Sequence, residues 1–263
     1  MDLGLKDKVA LVGGASKGLG REVARSLARE GAKVAICARN KELLEQTALA
    51  ISRETGAQVF WRATDLSNPV EVKAFVQEAV KRFETVHILV NNAGGPPSAR
   101  FLELDDQNWE EAFHLNLMSA IRLTRHVLPY MRKQGWGRII NLTSAAVKQP
   151  MEGLILSNSI RAAVHGWAKS LSNELAREGV LVNCVCTGFM HTERVEQLAE
   201  SLALSKKTDS WEIIRGWEAQ IPMGRLGKPE ELADLVTFLA SDRAGYITGT
   251  SIAIDGGYCK GLL

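Results

Sequence analysis

Short, continuously apolar runs alternate along the chain with longer stretches whose apolar residues recur three and four apart. The short runs predict buried strands at Val9–Gly14, Lys33–Ala38, Gln58–Arg62, Val86–Asn91, Gly137–Leu142, Val180–Val185 and Ser251–Ile254. The amphipathic stretches predict helices over Arg21–Glu30, Lys41–Thr55, Pro69–Phe83, Asp106–Gln134, Leu154–Glu178 and Pro229–Leu239. Gly31, Gly56 and Gly135 mark helix ends. Pro69 and Pro229 stand where a helix begins, a position at which the missing N–H costs nothing. Strands that are apolar throughout, with no period of two, are covered on both faces. Their alternation with helices predicts an α/β fold on a parallel sheet. The 263 residues read as one domain without internal repeats or a low-complexity linker.

The segment Glu193–Ile221 breaks this rhythm. It is helical in pattern but sits between two regular units, and it reads as an insertion over the carboxyl ends of the strands, where such sheets bind ligands. Trp211, Ile213, Ile214 and Trp217 make it a candidate lid over an apolar substrate, with ordinary helix packing as the alternative.

Composition narrows the partners. The net charge is +2, and the cations lie among acidic residues along the helices, which argues against a nucleic-acid partner. No apolar run approaches the roughly 18 residues of a membrane span. The start, Met1–Lys8, is polar and charged. The four cysteines, Cys37, Cys184, Cys186 and Cys259, form no CxxC and read as small core residues, so the expected compartment is the cytoplasm. No His/Cys/Asp/Glu cluster has metal-ligand spacing, and no metal is expected.

The chemistry begins at Gly13-Gly14-Ala15-Ser16-Lys17-Gly18-Leu19-Gly20, which follows the first strand and opens the first helix. Glycines there permit a tight turn, and a pyrophosphate can meet free N–H groups at the helix N-terminus. The spacing from Gly14 is GxxxGxG. Further along stand Asp65-Leu66, Asn91-Asn92-Ala93-Gly94, Asn116 within His-Leu-Asn-Leu, and a strand running into Thr143-Ser144. Then come Asn183 to Gly188, Thr192, Ile247-Thr248-Gly249 and Asp255-Gly256-Gly257. On these motifs the chain resembles the short-chain dehydrogenase/reductases, and among them the 3-oxoacyl-acyl carrier protein reductases, nearly end to end.

The resemblance implies a single-domain Rossmann fold with seven parallel strands in the order 3-2-1-4-5-6-7. It also implies a dinucleotide held by Gly14, Ser16, Lys17, Gly18, Leu19, Gly20, Asp65, Leu66, Asn92, Ala93, Gly94, Arg161, Gly188 and Thr192. Pairing through the long helix, the active-site helix and the last strand would give a homodimer or homotetramer. At the end of the second strand, where an acidic residue would hold the ribose hydroxyls of NAD, the chain has Ala38 followed by Arg39. Two cations, Arg39 and Lys17, suit the 2′-phosphate of NADP, so NADPH is expected ahead of NADH.

The same resemblance implies a catalytic set of Asn116 and Ser144 with a tyrosine thirteen residues after the serine and a lysine four residues later. Those positions hold Ser157 and Arg161. An aliphatic hydroxyl is a far weaker acid than a phenol. A guanidinium keeps its charge and its donors but does not pass a proton. His191 beside Thr192 and Lys148 in the loop after Ser144 are substitute candidates. His165 reads as structural, with a catalytic role as its alternative, and His87 reads as structural. Three functions are compatible: reduction of a carbonyl or imine (or oxidation of an alcohol) with a non-standard proton donor, cofactor binding with little or no catalysis, and non-redox elimination. Relatives that carry out elimination keep the tyrosine and lose the glycine turn, the reverse of this chain.

Overall fold

The computed structural model describes residues 1–262. In chain order the main elements are β1 (Val9–Val12), α1 (Gly18–Arg29), β2 (Lys33–Ala38), α2 (Lys41–Thr55), β3 (Val59–Ala63), α3 (Pro69–Phe83) and β4 (Ile88–Asn91). They continue with α4 (Asp106–Ala112), α5 (Ser119–Gln134), β5 (Gly137–Leu142), α6 (Ile155–Leu175), β6 (Val180–Thr187), α7 (Glu193–Lys206), α8 (Ser210–Glu218), α9 (Pro229–Leu239) and β7 (Ser251–Ile254). The strands form one parallel sheet in the order β3-β2-β1-β4-β5-β6-β7. The chain reverses direction along the sheet between β1 and β4, which opens a crevice at the carboxyl ends of those strands.

Two cores cover the two faces. One packs α1, α2 and α9 against the sheet through Val23, Leu27, Leu44, Leu232 and Val236. The other packs α3, α5 and α6 through Phe75, Leu123, Val127, Met131, Ala168 and Leu175. Alternate residues of one strand serve opposite cores: Ala10 and Val12 the first, Val9 and Leu11 the second. This is why the strands read as unbroken apolar runs. Helix starts follow the local chemistry. Asn40 caps α2 by accepting from the Leu43 N–H, and Asn68 caps α3 with Pro69 in the first helical position. Among the described residues no helix is long and apolar enough to cross a membrane.

One predicted element differs. The single helix expected over Asp106–Gln134 is interrupted by a wide π turn at Phe113–Met118, between α4 and α5. One extra residue in a turn rotates the side chains that follow it, and Asn116 sits in this stretch with its Nδ2 on the Gly94 carbonyl oxygen at 2.8 Å. Hydrophobic periodicity does not reveal such a bulge, because the apolar positions on either side still fall on one face. Smaller differences are end effects. β1 stops at Val12, α1 begins already at Gly18, β6 runs on to Thr187, and α6 ends at Leu175 before a short 3₁₀ turn at Ala176–Glu178.

Candidate active site

The loop between β1 and α1 is fixed by close backbone approach. Gly14 and Gly18 have φ of 57°, in the left-handed region that favours glycine. Gly20 lies against the loop itself: a Cβ there would stand 2.4 Å from the Gly14 carbonyl oxygen and 2.7 Å from Asn92 Nδ2. Asn92, just past the end of β4, donates to the Gly13 and Gly14 carbonyl oxygens at 3.0 and 3.2 Å. That pairing ties two strand ends together under the crevice. The Ser16 carbonyl accepts from Thr47, which anchors the loop to α2.

Around this loop the structure gathers most of the residues singled out in the sequence. Asp65 is partly buried and turned onto Ser67, accepting from its N–H and hydroxyl, and Leu66 is buried. Ala93 and Gly94 continue from Asn92 toward Asn116. Gly188 lies so near the chain after β7 that a Cβ would meet Asp255 Cα at 2.7 Å. Thr192 stands just before α7 and faces Gly18, its methyl 3.8 Å from where a Gly18 Cβ would be. Leu19 is partly buried in the first turn of α1 and packs on the first core. Arg39 is exposed beyond β2. Lys17 is also on the surface, but it is paired: its Nζ meets Glu193 Oε1 at 2.7 Å, so the start of α7 is latched to the glycine loop.

The other cluster sits at the end of β5 and the start of α6. Ser144 caps a short 3₁₀ turn, its Oγ accepting from the Ala146 N–H at 3.1 Å. Ser157 is buried in the first turn of α6. Arg161, one turn further on, donates from Nη1 to the Leu142 carbonyl at 3.0 Å. No carboxylate among the described residues pairs with it, and burial of its guanidinium lowers its pKa to about 10. It therefore stays cationic at neutral pH. A partly buried cation held at the carboxyl end of β5 can orient and stabilise an oxyanion.

The substitute donors separate. His191 is largely exposed, with Nδ1 3.4 Å from Glu196. Lys148 ends the 3₁₀ turn after Ser144 and is partly buried. His165 is bound on both ring nitrogens, Nε2 to Thr143 Oγ1 and Nδ1 to Ser251 Oγ, each at 2.8 Å. It stitches α6 to β5 and β7. Burial, with Lys148 and Arg161 nearby, pushes its pKa down to about 4. His87, whose Nδ1 accepts from the Val9 N–H, is likewise pushed down to about 4 by burial and by Lys8 and Lys33.

These two histidines set a pH dependence of stability. Their folded pKa values lie below the ordinary 6.5, so the fold prefers them neutral. As pH falls from about 6.5 toward 4, the unfolded chain takes up protons that the folded chain refuses, and stability drops, together by on the order of a few kcal/mol. Urea midpoints are expected to hold above pH 7 and to fall steadily between pH 6.5 and 4. In His165→Asn the decline should be shallower; the same slope in that variant would contradict the assignment.

Sequence reasoning missed some contacts here. Phe189 stacks on Trp217 of α8 at 4.8 Å and meets Tyr258 edge-on at 5.5 Å, joining the strand end, the α7–α8 insertion and the C-terminal tail. Arg194 reaches the Pro96 carbonyl at 3.4 Å. No local signal predicts either, because the partners are 28 to 98 residues apart in the chain.

Comparison with known proteins agrees with this geometry. Residues 14–259 match the family model described as enoyl-(acyl carrier protein) reductase. The chain is 35% identical over 257 residues to the 3-oxoacyl-acyl-carrier-protein reductase of Aquifex aeolicus, covering 98% of this chain and 99% of the relative. It superposes on the L-sorbose reductase of Gluconobacter frateurii, solved with NADPH and L-sorbose, with a TM-score of 0.96 and 33% identity over the whole of both chains. A variant of actinorhodin polyketide ketoreductase solved with NADPH gives 0.93 and 34%, covering 97% of this chain and 98% of that one.

Proposed function

Since the chain belongs to the short-chain dehydrogenase/reductase family, we propose that it is an NADP(H)-dependent oxidoreductase acting on a carbonyl, imine or alcohol, with a proton donor other than the family's tyrosine. The observation that carries this is the intact glycine cradle: Gly14, Gly18 and Gly20 shape a loop in which added side chains would strain or clash. A loop of that form suits a pyrophosphate at the N-terminus of α1. Solved relatives contain NADPH. In this chain Arg39 and Lys17 would take the 2′-phosphate, with no acidic side chain at Ala38 to oppose it. Asp65 and Leu66 would border the adenine, Asn92 to Gly94 the ribose, and Gly188 and Thr192 the nicotinamide amide.

NADPH, when bound, would supply the hydride. Ser144 orients the substrate oxygen, and Arg161 stabilises negative charge developing on it. Ser157 adds a hydroxyl but is a poor acid. The proton comes from solvent, from His191 or Lys148, or with the substrate itself when that is a protonated imine. The α7–α8 segment, residues 193–221, closes over the cleft as a lid, and the active protein is a homodimer or homotetramer.

The test is a panel of ketones, imines and alcohols with NADPH and NADH, alongside a titration of cofactor binding. Turnover with NADPH is expected. Tight binding without turnover on any substrate would favour the second reading, a cofactor-binding protein with little catalysis, to which Ser157 and Arg161 point. Failure to bind NADPH would remove the proposal. Within the same assay, Arg39→Asp is expected to weaken NADPH binding roughly 10- to 100-fold, the scale of charge-assisted hydrogen bonds to phosphate, and to leave NADH binding equal or better. Unchanged NADPH affinity would leave Arg39 as a surface cation.

A further inference from the structure

The glycine loop and the α7–α8 insertion meet at one charged contact. Lys17 Nζ lies 2.7 Å from Glu193 Oε1, and Gln197 Nε2, one turn along α7, donates to the same oxygen at 2.9 Å. The paired side chains are 48% and 55% exposed, so a solvent-borne anion can reach the ammonium. Lys17 is the last residue before α1, in extended backbone, and its side chain caps nothing in that helix. Glu193 is the first residue of α7. Arg194, next in the helix, donates to the Pro96 carbonyl in the segment after β4. The start of α7 therefore bridges the glycine loop and that segment.

Arg39 differs. It is exposed, and no carboxylate among the described residues pairs with it. Of the two cations proposed for a 2′-phosphate, one is thus free and the other already carries a counter-charge. An ammonium has three donors and can hold two acceptors, but two anions on one ammonium repel each other. A phosphate monoester brings about two negative charges at neutral pH and the carboxylate one, so the phosphate is the stronger claimant.

We infer that Glu193 is a specificity-determining residue: it competes with the 2′-phosphate of the cofactor for Lys17, so NADPH has to break the Lys17–Glu193 pair and NADH does not. The inference rests on the proposed reading of Lys17 as a phosphate ligand. Glu193 then narrows the preference for NADPH over NADH that the two cations create. Linkage makes the effect reciprocal: the phosphate loosens the start of α7 from the glycine loop by the factor by which Glu193 weakens the phosphate. The first turn of the insertion thereby distinguishes the two cofactors.

Calorimetric titration of the whole chain with NADPH, NADH and adenosine 2′,5′-bisphosphate, which has the phosphate but no nicotinamide, tests this. Glu193→Gln keeps the shape of the side chain and removes its charge. It is expected to strengthen NADPH and bisphosphate binding about two- to fivefold, the scale of an exposed ion pair, and to leave NADH affinity unchanged. The gain should disappear in a Lys17→Met background, where Glu193 has nothing to compete for. Equal NADPH affinity in Glu193→Gln, or a gain shared by NADH, would overturn the role of Glu193 and leave NADPH binding intact. If neither NADPH nor the bisphosphate binds the unaltered chain, the cofactor reading fails and this inference falls with it. Amide hydrogen exchange gives a readout that needs no variant. The Val195 and Glu196 amides, which donate to the Thr192 carbonyl at 2.9 and 3.1 Å, should exchange about two- to fivefold faster with saturating NADPH than with saturating NADH. Equal rates would contradict competition for Lys17.

Discussion

Replacing Ser157 with Tyr and Arg161 with Lys together is expected to raise ketone reduction by roughly 10²- to 10⁴-fold, the range that a positioned general acid supplies. The two positions are four residues apart on α6, so they share one face. A phenol with an ordinary pKa near 10 can be drawn toward neutrality by a neighbouring ammonium, whereas a serine hydroxyl cannot. On the proposed reading, the serine at 157 leaves the site with binding groups and no comparable acid. The gain should appear in kcat/KM with little change in NADPH affinity, and the pH–rate profile should acquire the ionisation of the new phenol. Neither single substitution should match the double. Ser157→Tyr alone would set its phenol beside a guanidinium held at Leu142, and Arg161→Lys alone would still lack the acid. If the double variant binds NADPH as well as the unaltered chain and reduces no ketone faster, the pocket has diverged beyond these two positions, and the cofactor-binding reading gains.

Gly20→Ala should have the largest effect on cofactor binding. The added methyl would point at the Gly14 carbonyl oxygen at 2.4 Å and at Asn92 Nδ2 at 2.7 Å, well inside van der Waals contact. The first obstacle is backbone and cannot swing aside, so the loop must move. The displaced loop is the one whose N–H groups would meet the pyrophosphate. Forced overpacking of this kind costs about 1–3 kcal/mol, which for a chain of this size lowers the melting temperature by roughly 3–10 °C. NADPH affinity is expected to fall by about 100-fold or more, since the hydrogen bonds to the phosphates depend on loop shape. Gly216→Ala in α8, where nothing lies within 4 Å of the added methyl, is the matched control and should leave NADPH affinity unchanged. Equal affinity in Gly20→Ala would show that the cradle is elsewhere.

Much of this molecule was legible in the sequence. The apolar runs became strands because each is buried on both faces, and that demand is written locally, in every residue of Val9–Val12 or Val180–Cys186. The glycine loop was legible because left-handed backbone and close approach leave few alternatives to glycine at Gly14, Gly18 and Gly20. That Ser157 and Arg161 share one helix was legible by counting, since helical spacing carries position along α6.

Only the tertiary structure decided what depends on meetings between distant segments. The π turn at Phe113–Met118 aims Asn116 at Gly94, although the apolar pattern on either side reads as one helix. Lys17 of the glycine loop is paired with Glu193, 176 residues away. His165 is fixed between Thr143, just past β5, and Ser251 on β7. Asn91, Asn116 and Arg161, on three separate elements, line one cavity that no local rule predicts. Periodicity and backbone sterics act over a few residues and leave a trace in the sequence. Hydrogen-bond satisfaction and charge pairing act through space, and they are fixed only when the sheet brings the ends of β4, β5 and β6 side by side.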